Sequence, residues 1–319
     1  MRNNALTICC GVCVAGAFGV FTRWMQDLTA FDEHGLYVRG NIWGAVLLLL
    51  CIAAAGAMLG AIWYLKNHER LVSPAGFGAA HAGGGVIRRA AWLIIAVFMA
   101  VACFALLLTA GSSQYASLLR VLALLGLLAD AGFAGMAAAG GRGEGESSGA
   151  SPLVCLACVL PVAFCCFWLV VSYRQDAATA VVWRYGPEIS AIACSLLAFY
   201  YLAGHAFGRP RAYTAMFFCA CGAFLCFTAL PDSRLMALQL LLAGSALMQL
   251  FFLASLAANL RRAPEAVPRE AEEEPDAPAA QPPEEFGTLD DALRAEREDE
   301  EFAGSFVEYD PGEPRQKNR

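Results

Sequence analysis

Charged residues are scarce in this chain. They make up 16% of its 319 residues, whereas hydrophobic residues make up 58% and the mean hydropathy is +0.53. A soluble globular domain usually carries about 25% charged residues. The composition therefore excludes an ordinary soluble protein and indicates a chain that is largely embedded in lipid.

Motifs that identify common enzyme classes are also missing. The chain has no phosphate-binding loop of the GxxxxGK[ST] type and no HExxH metal motif. A glycine-rich stretch at residues 76–81 does not fit the dinucleotide-binding pattern and follows an apolar segment rather than a strand. We therefore predict no cofactor, no metal site and no nucleic-acid partner, and an enzymatic function is not favoured.

Cysteines are absent from the hydrophilic segments. All 13 of them fall inside apolar runs, where a cysteine packs as a small hydrophobic residue. The closely spaced pairs Cys10/Cys13 and Cys155/Cys158 have no histidine or basic residue beside them to stabilise a thiolate. The pattern favours packing over redox chemistry, and structural disulfides are not expected.

Long apolar runs are what the chain does contain. A helix that crosses about 30 Å of hydrocarbon needs about 20 largely apolar residues, because lipid offers its backbone no hydrogen-bonding partners. We predict an all-α, polytopic transmembrane helix bundle of about eight helices in a lipid bilayer. The eight segments cover residues 5–21, 42–65, 91–110, 118–139, 152–172, 189–207, 212–230 and 235–260.

The positive charges near the helix ends predict how the chain lies in the membrane. About ten lysines and arginines fall on the side of the N-terminus and six on the other side. Because cytoplasmic loops carry the excess of such residues, we expect both termini in the cytoplasm and the protein in the cell membrane. Ala15, Gly16 and Ala17 in the first segment also resemble a signal-peptide cleavage site, so removal of this helix is an alternative interpretation.

A glycine- and serine-rich linker at residues 140–151 divides the membrane region of residues 1–262 into two halves, 1–139 and 152–262. Short matches recur in the same order in both halves, among them a Gln-Asp pair after the first and the fifth helix. Two interpretations stay open. The halves are a parallel repeat of four plus four helices, or the matches are chance similarity between apolar segments.

The C-terminal segment, residues 263–319, differs sharply from the rest. It contains 18 acidic and six basic residues and is rich in proline and alanine. Such a composition buries too little apolar surface to offset the entropy of ordering, so we predict a disordered acidic tail in the cytoplasm. Thr288 and Asp291 have the spacing of a helix cap, which indicates either a short helix that folds on a cytoplasmic protein partner or a transient solvated helix.

Polar residues within the predicted membrane helices form a candidate intramembrane site. Asp130 lies midway along the fourth helix, where a charged side chain costs about 2.5–3.5 kcal/mol to insert. It is either a carboxylate that couples transport to a cation or a protonated group that bonds to a neighbouring helix. Gln239, Ser245 and Gln249 in the eighth helix and the helix-breaking Pro161 in the fifth complete this candidate site.

A second candidate site lies at the outer surface, where the first and third outer loops carry charges of both signs. These residues could surround an external ligand or pair with one another. The set comprises Arg23, Asp27, Asp32, Glu33, Arg174, Asp176, Arg184 and Glu188. On the opposite side, His68 and His205 could bind a metal together, although two histidines without carboxylates are more typical of ordinary interfacial residues.

Three short motifs suggest a relationship. They are the segment TAFDEHGL at residues 29–36, the pair Phe167-Trp168 and the segment FGRPR at residues 207–211. Together they resemble uncharacterised eight-helix membrane proteins of Clostridia-type bacteria over residues 1–260. The resemblance implies a bacterial cytoplasmic membrane and brings no known activity or site residue with it.

Two functional hypotheses follow from these patterns. One is a transporter or permease-like protein, which the candidate intramembrane site and the two halves favour. The other is a membrane scaffold or regulatory subunit that recruits a cytoplasmic partner through the acidic tail. An intramembrane enzyme ranks third because no catalytic pair is visible, and the sequence does not predict the oligomeric state.

Overall fold

A computed structural model describes most of the chain up to residue 262. The described residues are 2–32, 36–38, 40–69, 71–72, 76–82, 85–141, 150–176, 181–232 and 235–262. The predicted acidic tail and the central part of the predicted linker lie outside these residues.

The described chain is almost entirely helical. Its helices are α1 (Arg2–Thr29), α2 (Ile42–Asn67), α3 (Phe77–Ala80), α4 (Val86–Thr109), α5 (Ala116–Gly141), α6 (Pro152–Asp176), α7 (Gly186–Ala206), α8 (Ala212–Thr228) and α9 (Met236–Asn259). Single 3-10 turns lie at Ala110–Ser112 and Val182–Arg184. Two short strands, β1 (Leu71–Val72) and β2 (Arg261–Arg262), pair in antiparallel fashion.

The helix bundle predicted from the sequence is confirmed. Seven helices within the described residues are long and apolar enough to cross a membrane, and these are α1, α2, α4, α5, α6, α7 and α9. The helix α8 is equally apolar but has 17 residues, which gives it a length of about 26 Å. The chain is therefore a multi-pass membrane protein.

Two helices extend beyond the apolar segments from which they were predicted. The helix α1 continues to Thr29 instead of ending near residue 21, and its last two turns carry Arg23, Gln26 and Asp27. The helix α4 begins at Val86, so that Arg88 belongs to its first turn. In both places polar side chains form hydrogen bonds inside the protein, which permits a helix where hydropathy alone predicts its end.

The helix α9 is the most buried of the seven long apolar helices. In its 18-residue apolar stretch about 72% is buried, compared with 11% in the corresponding stretch of α2. The helices α4, α5, α6, α7, α8 and α9 pack in sequence into a closed ring, because α9 also contacts α4. On the outside, α1 packs against α8 and α9, and α2 packs mainly against α1 and α8.

The two predicted halves do not pack alike. Among the described residues, the most extensive helix contact joins α7 to α8, whereas the corresponding helices of the first half, α2 and α4, do not pack along each other there. The parallel repeat stays a prediction, since helix contacts alone do not test common ancestry.

The bundle has two ends, which we name after residues that lie there. The Arg23 face holds the end of α1, the start of α7 and the loop after α8. The His81 face holds α3, the end of α9 and the paired strands. These two faces position the candidate sites described next.

Candidate functional site

A buried arginine organises the Arg23 face. The side chain of Arg23 is 1% exposed, and its Nε donates a hydrogen bond of 2.6 Å to Oδ1 of Asp232. Its Nη1 donates to Oε1 of Gln26 at 2.7 Å and to the carbonyl of Trp183 at 2.8 Å, and Nη2 donates to the carbonyl of Arg184 at 3.3 Å. One guanidinium therefore ties α1 to the turn before α7 and to the loop after α8.

A polar cavity of about 540 Å³ opens beside this arginine. Its charged and amide lining comes from Arg23, Asp27, Gln175, Asp176, Arg184 and Asp232. The predicted membrane residue Gln239 also belongs to this end, because its Nε2 donates to the carbonyl of Asp232 at 2.8 Å. A cavity of this size can hold a small organic molecule.

The structure brings together half of the predicted outer-surface set. The cavity-lining members are Arg23, Asp27, Asp176 and Arg184. Arg174 and Asp32 are exposed and lie outside the lining, and Glu33 falls outside the described residues. Glu188 is fully buried instead, with its Oε1 accepting a 2.6 Å hydrogen bond from Ser172 Oγ.

Sequence reasoning missed Asp232 as a member of this site. It lies 209 positions from Arg23, so no local pattern connects the two. A usable signal did exist, since an aspartate directly follows the proline at which the apolar run of α8 has ended. A charged residue held 3% exposed at a helix end is a candidate for pairing.

A second group of polar side chains lies in the middle of the bundle. Gln249 on α9 is fully buried, and its Nε2 donates to Ser195 Oγ on α7 at 2.8 Å and to the carbonyl of Ser245 at 3.2 Å. The absent side chain of Gly222 on α8 makes room for the Gln249 amide, which a Cβ there would overlap. Within the described part of the chain, Gln249 Oε1 has no hydrogen-bond partner.

Polar side chains therefore follow α7 from end to end, and we call Glu188, Ser195 and His205 the α7 polar series. All three are at most 2% exposed. The first and last are 17 residues apart, which corresponds to about 25 Å along the helix. This length approaches the thickness of the hydrocarbon core of a bilayer.

The other predicted intramembrane residues do not join this series. Asp130 is half-buried on α5, within electrostatic range of the Cys103 thiol on α4. Pro161 is buried in α6 against Gly132 of α5. The five predicted residues therefore do not form one site. Gln249 and Ser245 are in contact, Gln239 lies at the Arg23 face, and Asp130 and Pro161 lie on α5 and α6.

Pro161 has an identifiable packing role. Proline lacks the N–H that would bond to the carbonyl four residues earlier, which here belongs to Ala157. That carbonyl points at Gly132, where an added Cβ would lie 2.5 Å from the oxygen. The close approach suits a Cα–H···O contact between α5 and α6.

At the His81 face, the histidine beside His205 is His81 and not the predicted His68. The ring centroids of His81 and His205 are 5.8 Å apart, whereas His68 is exposed and packs on Tyr64. Burial, together with the neighbouring His205 and Arg88, lowers the pKa of His81 well below its usual value of 6.5. The ring is therefore neutral at pH 7.

The described residues contain no group of three or more histidine, cysteine, aspartate or glutamate side chains arranged around a common point for a metal ion. The chemistry that the chain offers is instead that of charged and amide groups at the Arg23 face and of imidazoles at the His81 face. Both are suited to binding polar solutes or protons.

Comparison with known proteins gives no match: no protein-family model, no curated protein and no solved structure resembles the chain significantly. Inference about function therefore rests on the geometry of the residues themselves.

Proposed function

We propose that this membrane protein is a transporter-like protein that receives a small, positively charged organic solute in the cavity of the Arg23 face. The observation that carries this proposal is the cavity of about 540 Å³ with charged walls at the end of a largely apolar helix bundle. Arg23 lies within an apolar helix long enough to cross a membrane and is 1% exposed, and buried charges in such helices usually mark a pathway for ions or solutes.

The charge of the cavity favours a cation. Its lining contains three carboxylates, from Asp27, Asp176 and Asp232, and two guanidiniums, from Arg23 and Arg184. The guanidinium of Arg23 is engaged by Asp232 at 2.6 Å and more weakly by Asp27 at 3.7 Å, and it also donates to Gln26 and two carbonyls, so the protein itself neutralises it. Among the ionised groups of the lining, negative charge is in excess, which attracts amines and opposes anions.

A transport function is favoured by the α7 polar series behind the cavity. Arg184 lines the cavity and stands one helical turn before Glu188, with Ser195 and His205 following on the same helix. Gln249 Oε1, without a partner within the described residues, faces α8 beside Ser195. These buried groups supply polar partners at three depths, which a solute or proton crossing the bilayer requires.

The orientation of the protein is part of the proposal. The excess of lysine and arginine on the side of the N-terminus supports a cytoplasmic His81 face and an external Arg23 face. Both termini would then be cytoplasmic, and the cavity would face the outside of the cell membrane.

The test is stabilisation of the purified full chain in detergent by small solutes. Choline and putrescine represent organic cations, and glycerol and malonate serve as neutral and anionic comparisons. A bound solute at about 100 times its Kd stabilises the folded state by about 2.7 kcal/mol, which raises the unfolding temperature. We expect such a shift with a cation and its loss in Asp27→Asn, which removes one cavity carboxylate.

The matched control is Asp32→Asn, because Asp32 is an exposed aspartate of the same face outside the cavity lining. This variant should keep the wild-type response. Equal shifts for cationic and anionic solutes, or a response of Asp27→Asn that matches the wild type, would contradict the proposal.

A second candidate function rests on the charge of the tail. The 18 acidic and six basic residues after residue 262 could recruit a basic cytoplasmic protein to a membrane scaffold. Deletion of residues 263–319 tests this idea by affinity capture from membranes. An unchanged set of captured proteins would rule out recruitment through the tail.

A further inference from the structure

The His81 face is closed by a short folded segment, which we call the plug and define as residues 71–72 and 76–82. Its strand β1 pairs with β2 after α9, and its helix α3 packs against α5, α7 and α9. Asn259 at the end of α9 donates hydrogen bonds to the carbonyls of Ala80, at 3.0 Å, and Ala82, at 2.9 Å. The plug is therefore fastened to the end of the most buried helix.

His81 lies near the C-terminal end of the plug and is buried in the bundle. Its ring is fully buried between Phe77, at a centroid distance of 4.6 Å, and Phe252, at 5.3 Å. The backbone of His81 also lies close to α5, because a Cβ added to Gly140 would lie 2.5 Å from the His81 carbonyl oxygen. Within the described residues neither ring nitrogen of His81 has a hydrogen-bond partner.

His205 presents a third unpartnered ring nitrogen to this site. Its Nδ1 lies 3.2 Å from the carbonyl of Tyr201, which can only accept, so Nδ1 carries the hydrogen and Nε2 carries the lone pair. That Nε2 is buried and has no partner in the part of the chain that the structure describes. A lone pair held inside a protein in this way is a site for a bridging water molecule, whereas burial opposes a proton there.

The surroundings of the pair contain positive charge from a neighbouring helix. Arg88 of α4 donates from Nη1 to the carbonyl of Ala82 at 2.7 Å, and its guanidinium stacks over Phe251 at 5.2 Å. The titratable groups that act on His81 are His205 of α7 and Arg88 of α4, and no described carboxylate is among them. The helices α5 and α9 contribute the uncharged Gly140 and Asn259.

We propose that His81 is the proton-binding residue of the plug, and that a proton taken up from solvent by its ring releases the plug from the His81 face. The proposal rests on the proposed transport function in one respect, since it makes the proton the ion that opens the cytoplasmic end of the pathway. The site itself stands on the geometry of the plug.

Protonation of His81 favours release of the plug because the closed site holds no negative charge, among the described residues, to compensate a second cation beside Arg88. A proton on an imidazole nitrogen of His81 would place a charge beside Arg88 in a dry site, where burial opposes the charged form. Opening of the plug exposes His81 to water and removes this penalty. The plug lies outside the long helices, so it can leave the bundle without unfolding any of them.

The direction of the pH dependence follows from the two states. The closed state holds the pKa of His81 well below 6.5, and in the open, hydrated state the pKa returns to about 6.5. The open state therefore binds the proton, and closure is complete above this pH and weakens as the pH falls below it. Between pH 7.5 and pH 5.0 the open population should rise by up to about 30-fold.

The test is amide hydrogen exchange of the full chain in lipid nanodiscs at these two pH values, corrected for the intrinsic exchange rate. For the wild type we expect protection of the amides at 76–82 to fall by about tenfold or more at the lower pH. His81→Phe retains an aromatic ring beside Phe77 and Phe252 but cannot bind a proton. Its plug should show the same protection at both pH values.

The control is His68→Phe, which changes an exposed histidine near the same face and should behave like the wild type. Equal protection of the wild-type plug at both pH values overturns the proposal, whether or not any variant folds. A pH response that persists in His81→Phe overturns it as well. Because the readout is plug protection, a positive result without any solute binding would refute the transport function and leave the proton site standing.

Discussion

The buried contact between Arg23 and Asp232 is the residue-scale feature on which the Arg23 face depends. Removal of Asp232 leaves the buried guanidinium with only the longer contact to Asp27, at 3.7 Å, and loss of one partner of a buried pair typically costs 3–5 kcal/mol. We therefore expect Asp232→Ala to lower the free energy of unfolding by about 3 kcal/mol, measured by unfolding in mixed SDS micelles. Asp32→Asn keeps the side-chain oxygen that accepts from the Leu36 N–H and should change it by less than about 0.5 kcal/mol.

A double-mutant cycle separates the ion pair from other effects. If Asp232 acts through Arg23, the variant that combines Arg23→Met with Asp232→Ala should be more stable than the sum of the two single losses predicts. Strictly additive losses would mean that the two residues stabilise the fold independently.

The packing of α5 on α6 gives a second residue-scale prediction. Gly132→Ala would place a Cβ 2.5 Å from the Ala157 carbonyl, and overpacking of this kind costs about 1–3 kcal/mol. Gly56→Ala on α2 is the matched control, because nothing lies within 4 Å of its added Cβ and alanine favours the helix. In the same unfolding assay the first variant should lose stability and the second should not.

At the scale of elements, the apolar runs were sufficient to predict where the long helices lie. Lipid leaves a helix as the only way to satisfy the backbone, so hydropathy and length decide the matter. Helix ends were less predictable, as α1 shows. Its last turns contain Arg23 and Gln26, which look like loop residues until their hydrogen bonds to each other and to distant carbonyls are known.

The contrast between α9 and α2 leads to an element-scale prediction. Leu241 of α9 is fully buried among other helices, whereas Leu49 of α2 is 65% exposed and faces lipid. Leu241→Ala leaves a cavity and should lower the free energy of unfolding by about 2–4 kcal/mol. Leu49→Ala should cost less than about 1 kcal/mol, because lipid fills the space. Similar losses for both would show that α2 packs tightly against a partner outside this chain.

At the scale of the whole molecule, the contacts between distant elements could not be predicted from the sequence. Asp130 stands out by its insertion cost, yet it lies on α5 near Cys103 and is not among the hydrogen-bond partners of Gln249. His205 was matched with His68, but the short helix α3 carries His81 into that place. Hydropathy identifies the helices, but it carries no information about which polar faces meet inside a bundle.

This arrangement predicts the effect of Asp130→Asn, the substitution that sequence reasoning favours most. Asp130 lies outside both the cavity and the α7 polar series. Its replacement should therefore leave the Kd for the stabilising solute within twofold of the wild-type value. A loss of more than tenfold in that assay would make α5 part of the pathway.

The most direct test of the central claim is uptake by proteoliposomes. A radiolabelled cation that stabilises the purified protein is offered to vesicles that contain the wild type, Asp27→Asn or Asp32→Asn. We expect accumulation with the wild type and Asp32→Asn and at least a tenfold lower initial rate with Asp27→Asn. Uptake equal to that of protein-free vesicles, or an unchanged rate in Asp27→Asn, would contradict transport through the cavity of the Arg23 face.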